Sequence, residues 1–145
     1  MGNYAENRKA KFDYELLEIF DAGVELTGPE VKSVRMGRMN LAGSYVSILG
    51  KEAFLRGAEI PPYQPKNQPA DYDAQRAKKL LLEKGELVRL AKAEATKGLT
   101  IVPLAVYNKG RFIKVKLAIA RGKKEFDKRQ AIKKRDTERD LGRSL

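Results

Sequence analysis

The residues able to do chemistry in this chain are mostly cations. Of 145 residues, 30 are Lys or Arg and 19 are Asp or Glu, a formal charge of +11, with no His and no Cys. The missing types exclude disulfides, thiolate nucleophiles, Ser-His and Cys-His catalysis, and nearly all zinc and haem sites. Asp71 and Asp73, two apart in a loop, are left as a conceivable metal pair for a nuclease, with a solvated turn as the plainer reading. No phosphate-binding loop of the G-x-x-x-x-G-K-[ST] kind and no G-x-G-x-x-G occurs. The pattern points to binding of a polyanion, RNA above all, without catalysis, cofactor, metal or small-molecule substrate. Lys and Arg that meet phosphates release counterions and give salt-dependent affinity.

These cations come in groups. Residues 121–145 hold ten basic and five acidic residues with only five apolar ones, too few to offset an ordering cost of roughly 1–2 kcal/mol per residue. Lys128 to Leu141 lacks Pro and Gly and is rich in helix formers, so this tail is expected to be loose alone and helical against a polyanion. Lys133, Lys134 and Arg135 are its densest charge, and Phe126 is its one aromatic, suited to stacking on a base. Residues 1–120 keep a net charge of +6. There Arg8, Lys9 and Lys11 form an N-terminal cluster that is either a phosphate contact or a solvated arm. Lys78 and Lys79 are read at the start of a helix, where the dipole disfavours cations and a nearby phosphate would explain them. Lys114 and Lys116 project from the polar side of a strand, as groove-lining groups or merely as a solvated face.

The elements that must position these groups follow from spacing. Phe12–Leu26 alternates as a strand, with Asp21-Ala22-Gly23 read as a bulge or turn. Thr27-Gly28-Pro29-Glu30 opens a short helix with a capping box, ended by Gly37. Ser44–Leu49 and Glu52–Ile60 form a hairpin about Gly50-Lys51. Four prolines between 61 and 69 mark a surface loop. Helical spacing returns over Lys79–Lys97, where one of three consecutive leucines, Leu80 to Leu82, must leave the core. Leu99–Tyr107 is a strand with a bulge or edge at Pro103. Arg111–Ala120 is the cleanest strand, with Ile113, Val115, Leu117 and Ile119 inside and Lys114 and Lys116 outside. The expected fold is mainly β with short helices. An antiparallel, OB-like barrel of about six strands spans residues 1–120, and the basic tail spans 121–145. No signal peptide and no apolar run of transmembrane length is present, so the expected compartment is the cytoplasm, with no membrane partner.

Six blocks, in order and with matching spacing, add a resemblance: NRKAKFDYE (7–15), FDAG (20–23), EVKSVRMGRMNLAGSYV (30–46), RAKKLLL (76–82), KGLTIVPLAVY (97–107) and ARGKKEFDKR (120–129). Together they resemble the SsrA-binding protein (small protein B) family, bacterial partners of transfer-messenger RNA. The resemblance implies a barrel that grips the tRNA-like part of that RNA and delivers it to stalled ribosomes. Protein and RNA would together mimic a tRNA, with the tail helical in the empty mRNA channel. It implies RNA contacts at Asn7, Asp21, Leu81 and Lys114, with the basic groups around them. In the tail it implies ribosome contacts at Lys123, Lys124, Phe126, Asp127, Lys128 and Arg129. Asp21 stands where the family commonly has Glu, and Phe126 where Tyr or His is common. A general single-strand-binding or ribosomal protein with the same barrel is the rival reading.

Overall fold

Two long strands form the spine of this protein. In the computed structural model, which describes residues 3–64, 66 and 71–123, these are β2 (Tyr14–Val24) and β7 (Phe112–Gly122), paired antiparallel along nearly their whole length. The other elements are β1 (Ala5–Glu6), α1 (Arg8–Asp13), α2 (Gly28–Arg35), β3 (Tyr45–Leu49), β4 (Glu52–Arg56), β5 (Lys78–Leu81), α3 (Lys84–Glu94) and β6 (Leu99–Lys109). The described strands form one antiparallel sheet in the order β1-β6-β7-β2-β5-β4-β3. It curls until β3 lies against β6, without a ladder joining the two among the described residues. The result is a partly closed barrel of seven strands. The free edge of β3 is blunted by α3, whose Glu94 Oε2 accepts the Ile48 N–H at 2.8 Å.

Inside the curl, Ile113, Val115, Leu117 and Ile119 of β7 meet Phe20 and Ala22 of β2, Val34 of α2 and Leu90 of α3, all buried. The expected register of β7 therefore holds. A second, small core lies on the outer surface, where α1 sets Ala10 against Val102, Leu104, Ala118 and Ala120. One strand thus has a divided outer face. Its small residues, Ala118 and Ala120, are covered by α1, and its lysines are left uncovered by it, Lys116 exposed and Lys114 half-buried.

Several local expectations change. The 79–97 helix is instead β5 followed by α3. Lys78, Lys79, Leu80 and Leu81 alternate across the sheet, pairing with β4 and β2, which as a helix they would leave without a neighbour. The new helix start carries its own capping box, with the Glu83 N–H bonded to Glu86 Oε1 at 3.0 Å. Asp21-Ala22-Gly23 does not interrupt β2, whose irregularity falls between Leu16 and Glu18. Residues 8–11, expected as a polar stretch, and Phe12 and Asp13, expected at the start of a strand, form α1, in which Ala10 has an apolar face to cover. β7 runs to Gly122, and Lys123 N–H still bonds Asp13 O at 2.9 Å, so the folded body extends past the expected boundary at 120. The Thr27 capping box is present, with Glu30 Oε1 accepting the Thr27 N–H at 2.8 Å. Pro103 lies at a register shift in β6, as a bulge.

Glu30 does more than cap. Its side chain is 2% exposed and meets Arg76, with Nη2 to Oε1 at 2.6 Å and Nε to Oε2 at 3.3 Å. Ser33 Oγ donates to Pro61 O and Tyr72 Oη to Ile60 O, both at 2.7 Å, so α2 and the proline-rich loop are pinned together. Burial by itself would raise the Glu30 carboxyl, but the Arg76 and Thr27 hydrogen bonds and the nearby cations carry it below the usual carboxylate value. A folded-state value below the unfolded one gives stability that is present above the unfolded value and is lost as pH falls through the folded one. Arg76→Met should leave a buried carboxylate unpaired and cost about 2–4 kcal/mol, less than a fully buried pair because Arg76 is itself partly solvated. Urea unfolding followed from neutral to acid pH should show the gap between parent and variant closing as pH falls, because the parent loses the Glu30 contribution on protonation while protonation relieves the unpaired carboxylate of the variant. Identical profiles would remove Glu30 from the account of acid stability.

Candidate nucleic-acid interface

Lys114 and Lys116 are the core of the bare outer face, and the ladder decides what surrounds them. Tyr107 of β6, Lys114 of β7, Gly23 of β2 and Leu81 of β5 are successive partners in one row across the sheet. Ala105, Lys116 and Asp21 form the next row. Three of the four positions implied by resemblance, Asp21, Leu81 and Lys114, are therefore neighbours, although they lie far apart in sequence. Leu81 is 48% exposed. Strand alternation, not helical crowding, turns it outward while Leu80 is buried. Gly23 makes room for it, since a Cβ there would stand 3.2 Å from the Leu81 Cβ. That close approach accounts physically for the glycine in FDAG.

Beyond Leu81 and Lys114 the row opens into a groove of about 380 Å³. Its apolar lining includes Leu81, Val31 and Phe112, and its cations are Lys114, Arg35 and Arg111. Phe112 is 68% exposed. Arg35 Nη2 donates to Arg111 O at 3.1 Å, tying the end of α2 to the β6–β7 hairpin. Gly110 permits that hairpin with a φ of 62°. An apolar slot with an open ring and a cationic rim fits a nucleobase or ribose flanked by phosphates. Phe112, Arg35 and Arg111 were not singled out from the sequence. An exposed aromatic beside Arg111 at a turn was the available signal, but its partner on α2 is 76 positions away.

On the same face, Tyr107 Oη donates to Asp21 Oδ1 at 2.6 Å, and Lys116 Nζ stands 5.7 Å from the centre of the Tyr107 ring. Burial, then the hydrogen bond and charge of Asp21, push the Tyr107 phenol up to about 12. It remains a protonated donor throughout the physiological range.

The other expected positions fall differently. Asn7 is half-buried at the start of α1, and its Nδ2 donates to Pro103 O at 3.0 Å, so it fastens α1 to the β6 bulge. Arg8 and Lys9 are exposed on α1, on the same side of the sheet as Lys114, with Arg8 3.6 Å from Glu6. Lys78 is a correction. It is fully buried on the inner side of β5, with Nζ donating to Ala58 O at 3.1 Å, and so does not reach a phosphate in this structure. Its burial, with Glu30 opposing, lowers the ammonium below the usual lysine value. Lys79 points the other way, is partly exposed and pairs with Glu52 at 3.3 Å. Lys123 Nζ reaches Lys11 O at 3.0 Å. Lys124, Phe126, Asp127, Lys128, Arg129, Lys133, Lys134 and Arg135 lie outside the described residues.

Asp73 is accounted for as a turn residue, since its Oδ1 accepts the Gln75 N–H at 2.9 Å. Among the described residues no group of three or more Asp, Glu, His or Cys could hold a metal ion, and no helix is long and apolar enough to cross a membrane.

Comparison with known proteins gives a consistent result. The family model described as SmpB protein matches residues 4–145. A protein named SsrA-binding protein from Chloroflexus aggregans is 50% identical over 141 residues, covering 97% of this chain and 89% of the relative. One of the same name from Oenococcus oeni is 46% identical over 141 residues, covering 97% and 90%. A solved structure described as "tmRNA-SmpB: a journey to the center of the bacterial ribosome" superposes with a TM-score of 0.69 at 46% identity, covering 83% of this chain and 84% of that one.

Proposed function

This chain belongs to the SmpB protein family, and from that premise we propose that it binds transfer-messenger RNA and brings it to stalled ribosomes for trans-translation. Relatives carry the name SsrA-binding protein, and a solved neighbour at 46% identity pairs SmpB with tmRNA in the bacterial ribosome. It acts by binding, as a cytoplasmic partner of ribosomal and transfer-messenger RNA, and not as an enzyme. The observation that carries the RNA-binding reading is the bare outer face, where Asp21, Leu81 and Lys114 meet in adjacent rows beside a cation-rimmed groove.

The division of labour follows from chemistry. Lys114, Lys116 and Lys79, with Arg8 and Lys9 on α1, supply charge for phosphates and hence a salt-dependent term. Leu81 and Phe112 supply apolar surface for an unstacked base or a ribose. Asn7 acts by holding α1 in place. The tail, with Lys123, Lys124, Phe126 and the cations beyond, serves the ribosome. Its helix former content and charge suit a segment laid along ribosomal RNA in the empty mRNA channel, so that protein and RNA together mimic a tRNA.

The test is competition between the tRNA-like part of transfer-messenger RNA and bulk tRNA for the full-length protein. A clear preference for the former is expected. Phe112→Ala should weaken that binding by about 1–3 kcal/mol if its ring stacks on a base, with Leu81→Ala acting in the same direction. Neither should alter the slope of log K against log salt, because neither removes a cation. Equal affinity for both RNAs would return the protein to the general single-strand-binding class.

A further inference from the structure

Asp21 is a carboxylate on a face built for phosphates, and what surrounds it explains how it can serve there. The ladder sets it opposite Lys116, the position from which an ammonium would ordinarily close on a short acidic side chain. Instead Lys116 lies over the Tyr107 ring, and the carboxylate is bonded at Oδ1 to the Tyr107 hydroxyl. Tyr107 stands on β6 and Asp21 on β2, so the phenol reaches across β7 to make this bond. We propose that Tyr107 is a positioning residue of the RNA interface, holding Asp21 so that its second oxygen accepts one hydrogen bond from an RNA N–H or 2′-hydroxyl. The proposal rests on the RNA-binding reading above.

The chemistry supports a single, directed acceptor. An ionised carboxylate only accepts hydrogen bonds, and it repels phosphate, so its RNA partner must be a donor. A phenol has one proton to give, and here it goes to Oδ1, which leaves Oδ2 for the RNA. The Tyr107 hydroxyl stays protonated because its ionisation is displaced to about 12. A charge-assisted bond of 2.6 Å fixes the carboxylate more firmly than a mobile ammonium would. Held in this way, Asp21 does not neutralise Lys116, which stays available to the phosphate backbone. The same Tyr107 also precedes Lys114 in its row, so the acceptor, Lys114 and the exposed Leu81 are set by three successive ladders, β6–β7, β7–β2 and β2–β5.

The experiment is a double-mutant cycle on the full-length protein, with the tRNA-like part of transfer-messenger RNA as probe. Tyr107→Phe removes the hydroxyl and keeps the ring under Lys116. It should weaken binding about five- to tenfold, with the salt slope unchanged. Asp21→Ala should weaken binding at least as much, and the double variant should be no worse than Asp21→Ala alone. A general structural role for Tyr107 would instead give losses that add. Repeating the cycle with 2′-deoxy substitutions in the RNA names the donor. If the Asp21 effect disappears, the partner is a ribose hydroxyl; if it persists, the partner is a base N–H. Either result upholds the proposal. It is overturned if Tyr107→Phe binds like the parent, if the two losses add, or if Asp21→Ala has no effect. Failure of the parent protein to prefer this RNA over bulk tRNA is a separate result and would overturn the RNA assignment itself.

Discussion

A protein ended after Lys123 should bind the tRNA-like part of transfer-messenger RNA almost as well as the full chain and should fail to support tagging of the stalled peptide. The cut follows the structure. β7 pairs with β2 through Gly122, and the Lys123 N–H closes on Asp13 O, so an earlier end at Ala120 would also remove part of the sheet. The exposed face that carries Asp21, Leu81 and Lys114 lies wholly within what remains. What is lost is a segment whose Lys and Arg, including Lys128, Arg129, Lys133, Lys134 and Arg135, can meet ribosomal RNA phosphates. Affinity should change by about twofold to threefold, from the general loss of positive charge, while tagging falls to background. Changing Lys133, Lys134 and Arg135 together to Glu should give the same pair of results. Both quantities should be measured on one preparation. Parallel collapse of RNA affinity and tagging would make the tail part of the primary RNA site and end the two-part reading.

Val115→Asp should unfold the body. Val115 is fully buried, opposite Ala22 in β2 and Val106 in β6. A carboxylate placed there finds apolar neighbours, and the penalty is on the order of several kcal/mol whether it stays charged or takes up a proton. That is comparable with the total stability of a small domain, about 5–15 kcal/mol. The control is the adjacent residue. Lys116 faces outward, and Lys116→Asp should cost much less stability, roughly within 1 kcal/mol, while weakening RNA binding. Thermal melts with near-ultraviolet circular dichroism separate the two. A melting temperature near the parent's for Val115→Asp, or an equal loss for Lys116→Asp, would reject this inside-outside assignment.

Much of the framework was legible from residues next to one another in sequence. The alternation through Ile113, Val115, Leu117 and Ile119 gave the inner face of β7, and Thr27 with Glu30 gave the start of α2. Pro61 and Pro62 marked the irregular segment that follows β4, and Pro103 marked the bulge in β6. These are local signals, because period, capping and proline geometry depend on a few adjacent residues. The misreading of residues 78–81 as helix has a physical source. Lys79–Lys97 has helical spacing in its later part, and the leucines at its front extended the pattern backward. β4 and β2 offered unpaired backbone on either side, and residues 78–81 became the strand between them.

The sequence by itself determined the chemical character of this protein. With no His and no Cys, a charge of +11 and a tail rich in Lys and Arg, it specifies a binder of polyanions, and its ordered blocks place it in a family. Tertiary structure alone decided which charges reach the surface and what stands beside them. Lys78 and Lys79 are equal in composition, yet one bonds a buried carbonyl and the other faces outward, because strand pairing sends successive side chains to opposite sides. Asp21, Leu81 and Lys114 become neighbours through the β7-β2-β5 ladders. The Tyr107–Asp21 bond and the Phe112 groove likewise join segments distant in sequence. Such contacts depend on register between strands, which closes only when the whole sheet forms around its buried core.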